Sequence, residues 1–315
     1  MSNSTKTSGL GDQMLIGGSV VGGDVQTYSF ASPTGVQDVT DITQSGHSRI
    51  GLLRDGSASL TVFHDPASGG IHDVLKTLPT SDVLLQLLRG QGLGLQSACL
   101  NAKQINYDPT RTNTGELTFK VDAQANGYGL EWGEQMTPGV RTDTTATNGA
   151  SYDAAGGATA PAVPASGTPA TNPARIPATV VISGGTVSNV AVNGTSVGTG
   201  DGTYTVPGGA TIAVTYSVAP TWTWTWQSAF GGQAYLSVGA FTGSSATVTL
   251  QHSADNAAWS TLAAFTAVTS APGSQRVVVA NNTTVSRYLR VITTGTFTNL
   301  KFAVMFNRNP LAVVF

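Results

Sequence analysis

The sequence predicts a mainly β protein, and three observations carry that expectation. Short runs of alternating apolar and polar residues recur along most of the chain, the period of a half-buried strand. Charged residues make up only 10% of the 315 residues, against ~25% in ordinary soluble domains. That excludes coiled coils, long Glu/Lys-built helices and charge-driven disorder. Gly-rich turn signals separate the runs, and only one segment in the first half repeats with a clear helical period.

Strands are expected at Met14–Val21, Val25–Phe30, Val36–Thr43 and Ser57–His64, the last followed by the turn Asp65-Pro66-Ala67-Ser68-Gly69-Gly70. Ile71, Val74, Leu75 and Leu78 fall at i, i+3, i+4 and i+7, so a helix is expected over Ile71–Leu78, ended by Pro79. Val83–Leu88 is a short apolar run before Arg89-Gly90 and reads as a buried strand. In Glu116–Ala125, Leu117, Phe119, Val121, Ala123 and Ala125 point one way, and Thr118, Lys120, Asp122 and Gln124 the other. Its expected partner is Cys99–Tyr107. The connector Asp108–Gly115 exceeds the usual 2–5 residues of a hairpin, so it is expected to reach a neighbouring molecule.

Residues 146–177 are rich in Pro, Ala and Gly and read as a linker of polyproline character. Residues 178–219 form short Val/Thr strands separated by Asn193-Gly194, Asp201-Gly202 and Pro207-Gly208-Gly209, a small β module with a thin core. Residues 220–315 read as a β-sandwich or jelly roll, with strands at Thr221–Trp226, Ala234–Phe241, Ala246–His252, Trp259–Phe265, Gln275–Ala280, Tyr288–Thr293 and Lys301–Arg308. Trp222, Trp224 and Trp226 share one strand face and are expected to fill a core rather than to form a stacking platform.

Residues 1–150 hold 9 Lys/Arg and 14 Asp/Glu, while residues 151–315 hold 6 and 3. The first half is acidic and the second nearly free of acids, so the halves are expected to serve different ends. The net charge of −2 gives no basic field that would recruit nucleic acid. The opening residues are polar, without the apolar core of a signal peptide, and no run is long enough to cross a membrane, so no membrane insertion is expected. The single Cys99 is expected to be a buried thiol. The four histidines lack metal-ligand spacing, no nucleophile or phosphate-loop motif is present, and pairs such as Asp38/Asp41 and Glu131/Glu134 read as caps and solvated faces. No catalytic residue, metal or cofactor is expected.

Residues 1–145 resemble the major tail tube proteins of long-tailed (siphovirus) phages of actinobacteria. The resemblance rests on Asp38-Val39-Thr40-Asp41-Ile42, Arg49-Ile50-Gly51-Leu52-Leu53-Arg54-Asp55-Gly56, Phe63-His64-Asp65-Pro66 and Leu78-Pro79-Thr80-Ser81-Asp82. It continues in Lys103-Gln104-Ile105-Asn106-Tyr107, Ala123–Gly133 and Arg141-Thr142-Asp143. The C-terminal region resembles a discoidin-like (galactose-binding-like) sandwich through Gly232–Leu236, Leu250–Asn256 and Ser286–Phe297, with residues ~152–225 looking like an insertion. The resemblance implies two orthogonally packed β-sheets with one flanking helix. It implies hexameric rings that stack into a tube around a tape measure protein, are bounded by tail terminator and distal tail proteins, and later pass double-stranded DNA.

The implied place is the virion tail, assembled in the host cytoplasm, with residues 151–315 as a dispensable outer decoration. Lys120, Asp122 and Gln124 are then candidates to face the lumen. Asp41, Arg49, Arg54, Asp55, Asp108 and Arg111 are candidates for loops between subunits or rings. Tyr235 and Trp259 are candidates to contact a host-surface glycan. The alternative reading is a carbohydrate-binding adhesin, which accounts for residues 230–315 but not for the first half.

Overall fold

A computed structural model describes residues 8–43, 45–77 and 81–309, without the side chains of residues 52–54. The fold is mainly β, as the alternation predicts. The first half runs β1 (Gln13–Ile16), β2 (Ser19–Val20), β3 (Val25–Ala31), β4 (Thr34–Asp38), β5 (Arg49–Arg54), β6 (Ser57–Phe63), α1 (Ile71–Leu75), β7 (Val83–Leu88), β8 (Gln96–Gln104), β9 (Asp108–Arg111), β10 (Leu117–Ala125), β11 (Glu131–Gln135), β12 (Arg141–Asp143) and β13 (Thr147–Asn148). The expected strand Met14–Val21 is a hairpin instead. Gly17 and Gly18 take φ of 57° and 96° and turn the chain between β1 and β2. A Cβ on Gly18 would lie 2.4 Å from the carbonyl oxygens of Val238 and Gly273, so this turn sits directly against the C-terminal half.

β6, β10 and α1 face a shared core with β1, β7 and β8. Phe119, Val121 and Ala123 meet Ala58, Leu60 and Val62 there, and Ile71 and Leu75 of the helix close it beside Leu85, Leu87 and Leu100. β10 pairs with β6 over seven residues and with β8 over three, which links the two layers through hydrogen bonds. The connector Asp108–Gly115 is part of a hairpin with β10 and is exposed. Its first four residues form β9 and pair back on β10. The expected helix reaches Leu75, and its last residue, Leu78, lies outside the described residues.

The remainder runs β14 (Tyr152–Asp153), β15 (Pro169–Thr171), β16 (Ala178–Ser183), β17 (Thr186–Val192), β18 (Thr195–Gly198), β19 (Gly202–Val206), β20 (Thr211–Val218), β21 (Thr221–Trp226), β22 (Gly232–Ser253), β23 (Ser260–Ala264), β24 (Gly273–Val279) and β25 (Tyr288–Arg308). Where pairs of strands were expected, β22 and β25 are single strands of 22 and 21 residues. They pair along their whole length, with register shifts between Val238 and Ser245. Gly243 and Gly295 lie at φ of 156° and 115° in this corner. A bulged corner lets one strand serve both layers of a sandwich. Leu236 and Val304 from one end thus meet Leu250 and Val291 from the other in one core.

Residues 146–177 are not a free linker. Ala154, Ala155, Ala174 and Ile176 are buried with Trp224 and Trp226. The carbonyls of Pro161 and Pro164 accept hydrogen bonds from Trp222 Nε1 and Tyr216 Oη, both at 2.8 Å. Proline-rich backbone has unpaired carbonyls to offer, and the small alanines lie close under the indoles. The Trp strand, assigned above to the sandwich, is β21 of the small module, paired with β16 in the sheet β19-β16-β21. The second sheet, β15-β20-β17-β18, covers the other side of the same core. The indoles fill that core, as expected.

The two halves share one hydrogen-bonded sheet. β11, β12 and β13 of the first half all pair with β25. Leu84 and Cys99 pack against Tyr235 and Met305, and Leu15 and Leu88 against Ala303. A cut after residue 148 would strip this cover from the first half, which argues against residues 151–315 being dispensable.

Candidate functional site

Three features gather the residues singled out above. The first is the outer face of the sheet β3-β6-β10-β9. Strand alternation turns Phe119, Val121 and Ala123 inward, so Thr118, Lys120, Asp122 and Gln124 face out. In register beside them lie Phe63, Thr61, Ser59 and Ser57 of β6, and next to those Thr27 and Ser29 of β3. On the other side Thr110 and Asp108 of β9 oppose Thr118 and Lys120. This face is mostly hydroxyls, with Lys120 as its cation and Asp108 and Asp122 as its carboxylates.

Lys120 Nζ lies 3.1 Å from Asp122 Oδ2, so its charge is compensated within the strand. Asp122 also accepts from Ser59 Oγ at 2.7 Å and Asn106 Nδ2 at 3.0 Å. The Ser59 hydrogen bond leads the effects that hold its carboxyl below the usual aspartate range, with Lys120 and Asn106 adding to it. Gln124 Nε2 donates to Asp55 Oδ2 at 2.9 Å. That contact ties the polar face to the base of the second feature.

The second feature is the arm formed by β4 and β5, a separate two-stranded sheet. Every residue of β4 is exposed, and so is every residue from Val39 to Thr43. Hydrogen bonds within the arm shape it. Asp38 Oδ2 lies 2.8 Å from His47 Nδ1, Asp38 Oδ1 accepts from the Thr40 amide, and Asp41 Oδ1 accepts from the Thr43 amide. Those local turns lower both aspartates, chiefly through the Thr40 and Thr43 hydroxyls. Yet the arm presents Val36, Val39, Ile42 and Ile50 to solvent, Ile42 completely. Of the expected loop residues, Asp41 and Arg49 lie on this arm and Asp55 at its base, all exposed. Arg54 ends β5, while Asp108 and Arg111 belong to the edge strand β9. Sequence reading missed that the arm is a hairpin, because Arg49-Ile50-Gly51-Leu52-Leu53-Arg54, which forms β5, carries no apolar–polar alternation.

The third feature is the seam between the halves. Glu131 and Glu134 are not solvated, contrary to the expectation. Arg276 forms an ion pair with Glu131 at 3.1 Å, and Tyr152 Oη donates to Glu134 at 2.8 Å. Burial pushes both glutamates up despite these partners. Tyr235 is 1% exposed and its hydroxyl accepts from Arg276 Nε, so it cannot stack on a glycan. Trp259 is partly buried, and Arg290 lies over its ring at 4.2 Å from the centroid. Cys99 is a buried free thiol, its pKa raised well above the ordinary value by burial.

No family model and no curated protein matches the chain. Among solved structures, it is similar to a chain from the tail of an empty GTA particle with C6 symmetry, at 15% identity over 34% of this chain and 80% of that one, with a TM-score of 0.28. It is also similar to the Dit protein of phage SPP1, the hub of an adsorption apparatus, at 8% identity over 95% of this chain and 99% of that one, TM-score 0.28. A chain of the phage p2 baseplate in its activated conformation is similar at 11% identity over 96% and 99%, TM-score 0.29.

Proposed function

We propose that this chain is a structural protein of a long-tailed phage, polymerising into stacked hexameric rings that form the tail tube. The observation that carries this reading is the β4–β5 arm. A hairpin that exposes Val36, Val39, Ile42 and Ile50 and, among the described residues, pairs with no other strand is costly to leave in water. A neighbouring subunit that covers it removes that cost. The arm also contains two of the stretches on which the tail-tube resemblance rests, Asp38–Ile42 and Arg49–Gly56.

In this reading the hydroxyl-rich face of β3, β6, β10 and β9 lines the lumen. A wall of serines, threonines and a neutralised lysine offers DNA phosphates no fixed cation to hold them. The tape measure protein fills the lumen before the genome, tail terminator and distal tail proteins bound the tube, and the half after residue 150 faces outward. The protein resides in the virion tail and assembles in the host cytoplasm.

Electron microscopy and sedimentation of the purified full chain test this. Rings or tubes of uniform diameter are expected as concentration rises. A chain that stays monomeric at high concentration, with tail proteins supplied, overturns the reading.

A further inference from the structure

A cleft of about 340 Å³ opens where β8, β11, the end of β25 and the turn before β16 meet. Its walls come from all three parts of the chain. Register places Gln96 opposite Glu134, and alternation puts Trp132 on the same face of β11. Arg308 and Asn307 come from the end of β25, and Arg175 from the small module. None of these six residues was singled out above as a binding group.

The groups in this cleft are incompletely used. Arg175 is exposed and has no hydrogen-bond or ion-pair partner among the described residues. Arg308 donates through its terminal nitrogens to the carbonyls of Val285 and Ser286, while its buried Nε has no partner. Glu134 receives the Tyr152 hydroxyl on Oε1, leaving Oε2 without a partner among the described residues. Asn307 donates from Nδ2 to Gln233 and keeps its carbonyl oxygen. Trp132 is 46% exposed, a large indole left open in a strand whose other residues pack.

Two guanidiniums against one carboxylate favour an anionic ligand, and a guanidinium fork fits a planar carboxylate in two parallel hydrogen bonds. An indole face with amide and carboxylate acceptors beside it fits a ring that is apolar on its flat side and hydroxylated at its edge. A bare phosphate has no use for the indole. An apolar ligand would leave the Arg175 guanidinium and Glu134 Oε2 unpaired beside it. The volume is at the small end of ligand sites, enough for a single sugar ring. We propose that this cleft binds a hexuronic acid residue, its carboxylate on Arg175 and Arg308, its ring on Trp132, and its hydroxyls on Glu134, Gln96 and Asn307. This site is separate from the arm and does not depend on polymerisation.

The test is titration of the full-length chain with D-glucuronic acid, read by calorimetry and indole fluorescence, with D-glucose, acetate and inorganic phosphate as comparison probes. Saturable binding of glucuronic acid is expected at millimolar concentration, with glucose weaker by about tenfold or more for lack of the charge-assisted pair. Arg175→Gln, on an exposed turn, should leave folding intact and reduce glucuronic acid to the level of glucose. Trp132→Ala should abolish the fluorescence response and weaken both sugars. The proposal is overturned by failure to saturate with glucuronic acid, by acetate or phosphate binding as tightly, or by both variants binding like the parent.

Discussion

Arg276 of β24 closes on Glu131 of β11 at 3.1 Å and so bridges the two halves of the chain. The guanidinium also lies 3.6 Å from the centre of the Tyr128 ring and donates from Nε to the Tyr235 hydroxyl. Both charged side chains are under 20% exposed. Burial nevertheless raises the Glu131 pKa, so desolvation outweighs what the partner returns. The pair therefore fixes how the halves meet rather than adding much net stability.

Breaking that pair from one side should be costly. Arg276→Ala leaves Glu131 in a poorly solvated place with no cation, and a loss of about 2–4 kcal/mol is expected in urea unfolding. Replacing both, as Glu131→Leu with Arg276→Met, should cost less than the single change. The sign with pH follows from the raised Glu131 value. Its contribution to stability is full below the unfolded-state value near 4.5 and is lost as pH rises through the higher folded value. Glu131→Gln should flatten the stability profile in that window, and an unchanged profile would show that Glu131 does not titrate there.

The small module should be removable. Ala154 donates its amide to Arg287, and Ser228 pairs with Val285, two residues away along the chain. Two residues span at most about 7 Å, so the entry and exit of the insertion are close. Replacing residues 155–227 with a short Gly-Ser bridge should leave a folded chain with sharp urea unfolding. The same variant lacks Arg175 and should lose preferential binding of glucuronic acid. Collapse to an aggregate would mean that the module's core, with Trp226 under Arg287, holds the sandwich together.

Much of this architecture was legible from alternation alone. β3, β6, β7, β10 and most strands of the module fall within a few residues of their expected places, because one buried face writes a period of two into the sequence. The seam was not legible. Glu131 and Glu134 carry no local sign that Arg276 and Tyr152, 145 and 18 residues away, will meet them. The proline-rich segment misled for a similar reason: composition signals a linker, while Trp222 and Trp226, which turn it into a wall, come some 50 residues later. Tyr235 looked like a stacking group on analogy, but alternation along β22 with Leu236 gives no hint that both faces of that strand are covered.

The arm should govern assembly and leave the fold alone. Ile42 and Val36 contact solvent, so Ile42→Asp and Val36→Asp should shift stability by no more than about 0.5 kcal/mol. In the proposed tube each would place a charge where a neighbouring subunit has to dehydrate it, so rings and tubes should be lost by sedimentation and electron microscopy. Variants that assemble like the parent would remove the arm from the interface.

The charge on the polar face of β10 should control passage of DNA if that face lines the lumen. Lys120 is the exposed cation there, and Asp122 compensates it at 3.1 Å. Asp122→Lys would give each subunit two adjacent lysines, with only Asp108 of β9 across from Lys120. In the proposed ring of six that would be a cationic collar, and phosphates would bind it in exchange for counterions. DNA ejection should slow markedly at low salt and recover as salt is raised, because the binding weakens steeply with ionic strength. Asp122→Asn, which removes the compensation without adding a cation, should slow ejection less. Its folding cost should appear above the ordinary aspartate range. The lowered carboxyl stabilises the fold there and ceases to do so as pH falls through its own lower value. Ejection as fast as the parent at every salt concentration, with this face shown to line the tube, would mean that wall charge does not govern passage.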